Sequence, residues 1–314
     1  MIANTLRKTF QTPSKTSYLV HEVIARSTGI SYPAINTSEL VRIHAVLPPH
    51  DEQTAIAAFL DNETAQIDTL IAKQERLIAT LQEKRQALIS HAVTRGLNPN
   101  APMKESGIEW LGEVPAHWGV ERNQWLFGEV NERSTTGDEE LLSVSHLTGI
   151  TPRSEKNVNM FMAETLEGYK LCQPGDLVIN TMWAYMGALG ISEQIGLVSP
   201  SYNVYRPKDS SLINPKYLDY LYRTPAHIVE IRRNSKGVWE SRLRLYPTSF
   251  LTMQTPLPPR AEQDAIVAHL GQKLNLYDAV ERKCLSAIAV LQERRTALIS
   301  AAVTGKIDVR AAMD

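Results

Sequence analysis

LPPHDEQTAIAAFLDNETAQIDTLIAKQERLIATLQEKRQALISHAVT runs from Leu47 to Thr94, and LPPRAEQDAIVAHLGQKLNLYDAVERKCLSAIAVLQERRTALISAAVT runs from Leu257 to Thr304. The two stretches align without a gap at a constant offset of 210 residues. Each opens on Pro-Pro, continues with Glu-Gln and closes on A-L-I-S-x-A-V-T. Two widely separated copies do not make a solenoid. They are one helical module used twice, with different material between. The prolines end whatever precedes, and acidic residues after them (Asp51 and Glu52 in the first copy) suit the positive end of a helix dipole.

Within the first copy, steps of four and three residues link Ile67, Ile71, Gln74, Ile78, Leu81, Arg85, Leu88 and Ala92. The second gives Tyr277, Glu281, Cys284, Ile288, Leu291, Arg295, Leu298 and Ala302. That alternation is a heptad seam, and Leu70 and Leu77 are expected to widen it. Two matched seams in one chain most simply pack on each other, and the long spacer permits an antiparallel return. Arg85 and Arg295 hold matching seam positions, where each is expected to pair with a carboxylate or to snorkel to solvent.

Outward from the repeats, the chain divides into a short leader and one complete domain. Tyr18–Ser27 reads as an amphipathic helix, S-T-G-I-S-Y-P-A-I-N as a loop, and Leu40–Val46 as an alternating strand. The same order recurs before the second repeat, from Ile228 to Pro256. Residues 1–46 therefore read as the last third of a domain whose full version comes later. Gly96, Pro99 and Pro102 break the first helix and mark a boundary. The expected organisation is a domain remnant at 1–46, a helical region at 47–96, a complete domain at 104–256 and a second helical region at 257–306. In the complete domain, strands are expected at Leu141–Val144, Leu177–Asn180, Gly196–Val198 and Tyr202–Tyr205, and helices at Tyr217–Tyr222 and Ala226–Arg232. The fold class is α+β, one mixed domain plus two long helices in an antiparallel coiled coil.

The chain has 314 residues, 43% hydrophobic and 21% charged, with a net charge of −1. No stretch suits a membrane span, and the N-terminus lacks the apolar core of a secretory signal. Two isolated cysteines fit a reducing cytoplasm rather than a disulfide or metal framework. The histidines have no metal-ligand spacing, and no phosphate-cradling loop or nucleophile elbow occurs. Asn214-Pro215-Lys216-Tyr217 faintly echoes the motif of amino-group DNA methyltransferases, but Lys216 replaces a proline and the string suits a helix cap. Charge is uneven: Arg206–Tyr246 holds nine basic and four acidic residues. With Trp239 and Tyr246 interleaved, that segment can form a phosphate-tracking surface.

Five stretches make the chain resemble the specificity subunits of type I restriction–modification systems. They are the two repeats, the domain opening SGIEWLGEVPAHW, the segment Pro174–Ser192 and the segment Gly196–Pro207. The resemblance implies a non-catalytic, cytoplasmic DNA-binding subunit. Target recognition domains each read one half of a split double-stranded target, held apart by the coil. Modification (methyltransferase) subunits would dock on the helices and restriction/translocase subunits would complete the endonuclease complex. S-adenosylmethionine for DNA methylation, ATP and Mg would belong to those partners, with no cofactor bound directly here. A helix from Ile67 to Ala92 is roughly 40 Å long, on the order of one DNA turn. The chain departs from the family in its first domain, which reads as truncated. Pairing with a second copy or another specificity chain would supply the other half-site. The alternative is a truncated coiled-coil assembly protein or silent recognition cassette without productive DNA binding.

Base edges are read by residues such as Arg, Asn and Gln, and phosphates are met by Lys, Arg, Ser, Thr and Tyr. Three loops carry such residues: Asn180, Thr181, Trp183 and Tyr185; Ser201 and Tyr202; and Lys236, Arg242 and Arg244. Trp183 and Met186 also suit a core, and Ser145-His146 is a weaker fourth candidate.

Overall fold

The structure, a computed structural model, describes residues 17–29, 33–44, 47–155, 165–239 and 242–309. The chain divides into two compact units, Met1–Gln82 with Tyr277–Asp314, and Glu83–Leu276. The division falls inside the long helices, so the second unit takes in helical turns beyond the expected 104–256 boundaries.

In the first unit, α1 (Ser17–Arg26) and α2 (Thr37–Leu40) precede α3 (His50–Arg95). The last helix of the chain, α8, spans Arg260–Val303. At 46 and 44 residues, α3 and α8 are about 69 and 66 Å long, well beyond the 40 Å of the seam alone. They lie antiparallel in the first unit. Leu60 clusters with Ile299 and Ala302. Glu63 faces Arg294 at 4.0 Å and Asp68 faces Arg295 at 3.4 Å. Gly305, at φ 69°, turns the chain so that Val309 packs back on that cluster.

Every seam position is buried or half-buried, Ala92, Ala302, Ile67 and Cys284 most fully. Ile71, Ile78, Leu81, Leu88, Ile288, Leu291 and Leu298 are half-buried, as two helices alone leave a seam partly open. Arg295 pairs with Asp68 as expected. Leu70 and Leu77 do not widen the seam: they are 44% and 42% exposed. Each precedes a seam position by one residue, and the partner helix does not reach that flank.

The segment before α3, expected from sequence to be a domain remnant, follows the order of elements at the end of the domain in the second unit. Helix α1, a bridge between Thr28 and Ala34, and α2 follow the same order as their later counterparts, a helix at Pro225–Asn234, a bridge between Lys236 and Arg244, and a helix at Pro247–Thr252. The strand expected over Leu40–Val46 is not there. Leu40 ends α2, residues 41 and 42 turn, and 45–46 lie outside the described residues. Its counterpart, Gln254–Leu257, is a strand because Gly119–Arg122 pairs with it. Among the described residues no strand pairs with 41–44, and a strand without a ladder leaves its backbone groups unsatisfied.

The second unit contains the complete domain. Its strands are β1 (Met103–Glu105), β2 (Glu113–Pro115), β3 (Gly119–Arg122), β4 (Phe127–Val130), β5 (Leu142–Ser145), β6 (Gly149–Pro152), β7 (Lys170–Cys172), β8 (Leu177–Ile179), β9 (Leu189–Ile191), β10 (Gly196–Val198), β11 (Asn203–Pro207) and β12 (Gln254–Leu257). A short α4 (Asn123–Leu126) precedes β4, and α5 (Pro215–Tyr222), α6 (Pro225–Asn234) and α7 (Pro247–Thr252) follow β11. The central antiparallel sheet has the order β4-β11-β8-β9. Every residue of β8 is buried, which its unbroken Leu-Val-Ile predicts for an inner strand.

An aromatic cluster sits under this sheet. Phe250 of α7 lies 4.5 Å from the Tyr205 ring centroid and 6.0 Å from that of Phe127. Beside it, Tyr222, Thr255 and Asn123 form a buried hydrogen-bonded triad, with Thr255 Oγ1 donating to Asn123 Oδ1 at 2.6 Å. Asn214 caps α5, accepting from the backbone amides of Lys216 and Tyr217. The Asn-Pro-Lys-Tyr string is thus a helix start.

Candidate nucleic-acid interface

The loops singled out in sequence converge. The backbone of Leu245, beside Arg244, donates to Thr181 O at 3.2 Å. Thr181 Oγ1 in turn donates to Ser201 O at 3.0 Å, and Asn180 Nδ2 to the Tyr202 hydroxyl at 3.0 Å. Segments some sixty residues apart in sequence are therefore tied edge to edge. Between two of them lies a concave pocket of about 290 Å³, walled by Met182, Trp183, Arg242, Leu243 and Arg244.

The structure sorts the nine basic residues that sequence could only count. Arg206 is fastened to Asp176 at 2.9 Å and to Glu132. Lys208 donates to Gln124 O, Lys216 pairs with Glu193, Arg223 donates to Leu147 O, and Arg233 pairs with Glu109. Arg232 also has a partner. Lys236, Arg242 and Arg244 remain: all three are exposed, and none forms an ion pair among the described residues. These cations surround the pocket loop and are available to an anionic ligand.

The other candidates divide. Trp183 is 48% exposed and Met186 40%, so neither is a core residue. Thr181 and Tyr185 are half-buried and Ser201 is exposed. Asn180 is buried with its amide on Tyr202, and burial raises the Tyr202 phenol above its usual range. Both act as braces beneath the loops in this conformation. Asn180 Oδ1 has no hydrogen-bond partner among the described residues. His146 lines a different cavity with Arg85, Tyr220 and Arg223, which includes no residue of the three loops. Among the described residues no cluster of His, Cys, Asp and Glu could hold a metal.

Sequence reasoning gives Glu52 of the first Glu-Gln pair a helix-dipole role but leaves the glutamines, Gln53 and Gln263, without one. Gln53 Nε2 donates to Pro48 O at 2.7 Å, and Gln263 Nε2 makes the same bond to Pro258 O at 2.8 Å. The glutamine thus closes the helix start in both copies. Gln263 does more: it is fully buried, donates to Leu212 O and accepts from the Asn214 amide. Glu262 accepts from Trp118 Nε1 at 3.1 Å and meets His117 at 2.7 Å. The Pro-Pro-x-x-Glu-Gln string is therefore a cap and, where the whole domain is present, a clamp between domain and helix. Of the two domain-opening tryptophans, Trp118 anchors there at 1% exposure, and Trp110 lies edge-on to His227 of α6.

His227 gives a pH signature. It is fully enclosed, stacked on Tyr222 at 4.6 Å, with neither ring nitrogen hydrogen-bonded among the described residues. Burial pushes its pKa down to about 3 from 6.5. The folded state holds it neutral while the unfolded state takes up a proton below about pH 6.5. Its contribution is thus fully present above that pH and is lost as pH falls toward 3, by up to roughly 1.4 kcal/mol per pH unit. Urea melts of His227→Phe between pH 7 and 4.5 are expected to show a shallower acid loss than wild type. Parallel pH profiles would contradict this.

No family model matches the sequence. Individual relatives do. The chain is 23% identical to the EcoKI type I restriction enzyme specificity subunit of Escherichia coli K12, over 94% of this chain and 64% of the relative. It is 20% identical to the EcoDI specificity subunit of Escherichia coli, over 92% of this chain and 68% of the relative. It thus spans just under two thirds of the first of these. Among solved structures, the HsdS subunit from Thermoanaerobacter tengcongensis superposes with a TM-score of 0.53 at 18% identity, over 96% of this chain and 70% of that one. A chain from a study of complex assembly and conformational transition of the type I R-M system gives 0.61 at 19% identity, over 92% and 68%. Along most of its length the chain is thus similar in sequence to specificity subunits, and its fold resembles those two solved chains.

Proposed function

We propose that this chain is a non-catalytic DNA-recognition subunit of a type I restriction–modification complex, and that its complete domain reads one half of a bipartite target. One observation carries the reading: three loops distant in sequence are tied together, two of them wall one pocket, and Lys236, Arg242 and Arg244, which form no ion pair among the described residues, lie in one of those two. A segment whose other basic residues have partners within the protein, with Trp183 and Trp239 exposed beside Lys236, Arg242 and Arg244, fits phosphates and base edges. The similarity to specificity subunits supports the same reading.

The antiparallel helices are the proposed docking site for modification subunits. Leu70, Leu77, Leu285 and Val290 are exposed outside the seam, where apolar side chains suit a partner helix. S-adenosylmethionine, ATP and Mg chemistry is assigned to partner subunits. No helix of the described residues is long and apolar enough to cross a membrane, and action on cellular DNA places the complex in the cytoplasm. The same exposed leucines favour a second reading, an assembly protein that holds subunits without reading DNA. The assembled chain and modification subunits are expected to methylate adenine within a defined motif. Stable assembly with no motif would favour the second reading.

A further inference from the structure

The backbone between Lys236 and Arg244 is a closed loop. The two residues exchange backbone hydrogen bonds of 2.9 Å each, and the Arg242 amide donates to Trp239 O at 2.9 Å. Gly237 makes the closure possible, since a Cβ there would meet Arg242 O at 2.5 Å and the Leu243 Cα at 3.0 Å. This pinned loop holds its largest apolar side chains outward: Val238 is 92% exposed and Trp239 69%. An aromatic ring and a β-branched side chain exposed side by side on such a loop suit a partner. Charge indicates which kind, because Lys236, Arg242 and Arg244 flank the tip and have no ion-pair partners among the described residues.

The remnant builds the same device. Thr28 and Ala34 exchange backbone hydrogen bonds of 3.0 Å each, Gly29 sits at φ 124°, and the sequence continues with Ile30 where the later copy has Val238. The bracketing bridge is thus repeated while the sequence inside it changes: no Lys or Arg occurs from Ser27 to Asn36. A frame kept constant with side chains varied is what a specificity-determining loop requires.

We propose that Val238 and Trp239 are a wedge that enters the DNA between adjacent base pairs, with Lys236, Arg242 and Arg244 holding the flanking phosphates. The proposal rests on the DNA-recognition reading and adds that the loop partly unstacks one base step. Apolar side chains used this way kink the duplex, and pyrimidine–purine steps yield most easily. Part of the sequence preference would then come from deformability at a step rather than from hydrogen bonds to base edges.

The test uses the full chain assembled with its modification subunits and a duplex selected by that complex from a randomised library. 2-Aminopurine is walked through the half-site, omitting the methylated adenine, which the modification chemistry itself can unstack. The wedge predicts a fluorescence rise at one step, with a pyrimidine–purine preference there in the selected pool. Trp239→Ala is expected to abolish both and to weaken binding about tenfold with an unchanged salt slope. Because Trp239 is exposed, its melting temperature should match wild type, which keeps the comparison free of unfolding. No rise at any step, or a Trp239→Ala complex that binds and selects like wild type, overturns the wedge. So does loss of modification-subunit binding by Trp239→Ala, which would make the tip a protein contact. Failure of the wild-type complex to enrich any duplex would instead overturn the DNA-recognition reading.

Discussion

Replacing Arg242 and Arg244 together with alanine is expected to weaken DNA binding by the assembled complex by about 2–4 kcal/mol, roughly thirtyfold to nearly a thousandfold. Both side chains are exposed and line the pocket beside Trp183. The backbone bridge to Lys236 and the Leu245 amide bond to Thr181 O need no arginine side chain, so the loops should stay in place. If either arginine meets a phosphate, the slope of log affinity against log salt should fall by about 0.9 for each phosphate no longer neutralised. An arginine reading a base edge would instead relax discrimination at one position. Arg206→Ala makes the same charge change with a different result. Arg206 is held by Glu132 and by the buried Asp176, so its loss leaves a carboxylate uncompensated and lowers stability. Fluorescence anisotropy titrations at several salt concentrations, with melts alongside, separate these outcomes. Unchanged binding by the double variant would remove this loop from the interface.

Phe250→Ala is expected to destabilise the complete domain by about 3–5 kcal/mol. Phe250 is 2% exposed and packs on Tyr205, Phe127 and Tyr222. Truncation would leave a cavity beside the Asn123–Tyr222–Thr255 triad, whose geometry depends on the same wall. The counterpart of Phe250 in the remnant, at the constant offset of 210, is Leu40. It is 48% exposed, so Leu40→Ala should cost under about 1 kcal/mol. Near-UV circular dichroism, which reports the aromatic cluster, can follow both in urea. Equal costs would mean that Leu40 is packed as a core residue is, contrary to its exposure.

The contrast between Phe250 and Leu40 also marks how far sequence carries. The repeat and its heptad seam were readable because periodicity is local: positions from Ile67 to Ala92 and from Tyr277 to Ala302 are the ones the structure buries. Leu70 and Leu77 misled because apolar character alone does not say which flank a partner covers. The strand expected at Leu40–Val46 failed for a non-local reason, since alternation describes a strand only when another strand, here the equivalent of Gly119–Arg122, is present to pair with it. The loops of the candidate site were found by residue type, but their meeting was not legible. Thr181 reaching Ser201, and Leu245 reaching Thr181, are tertiary facts. Nor could sequence separate Arg206, fastened to two carboxylates, from Arg242 and Arg244, which form no ion pair among the described residues. The Glu-Gln pair was visible as a pattern, yet its clamp on Trp118 and Asn214 needed the fold.

The most direct measurement is the map of methylated adenines in DNA modified by this chain with its modification subunits, wild type against Arg244→Ala. The expected wild-type result is a split motif, palindromic if two copies of the chain pair and asymmetric if a second specificity chain supplies the other half. With Arg244→Ala, the half-site read by the complete domain should lose preference at one or more positions or lose methylation. A complex that assembles but methylates at no motif, or a motif unchanged by loss of Arg244, would contradict recognition of DNA through this cluster of loops.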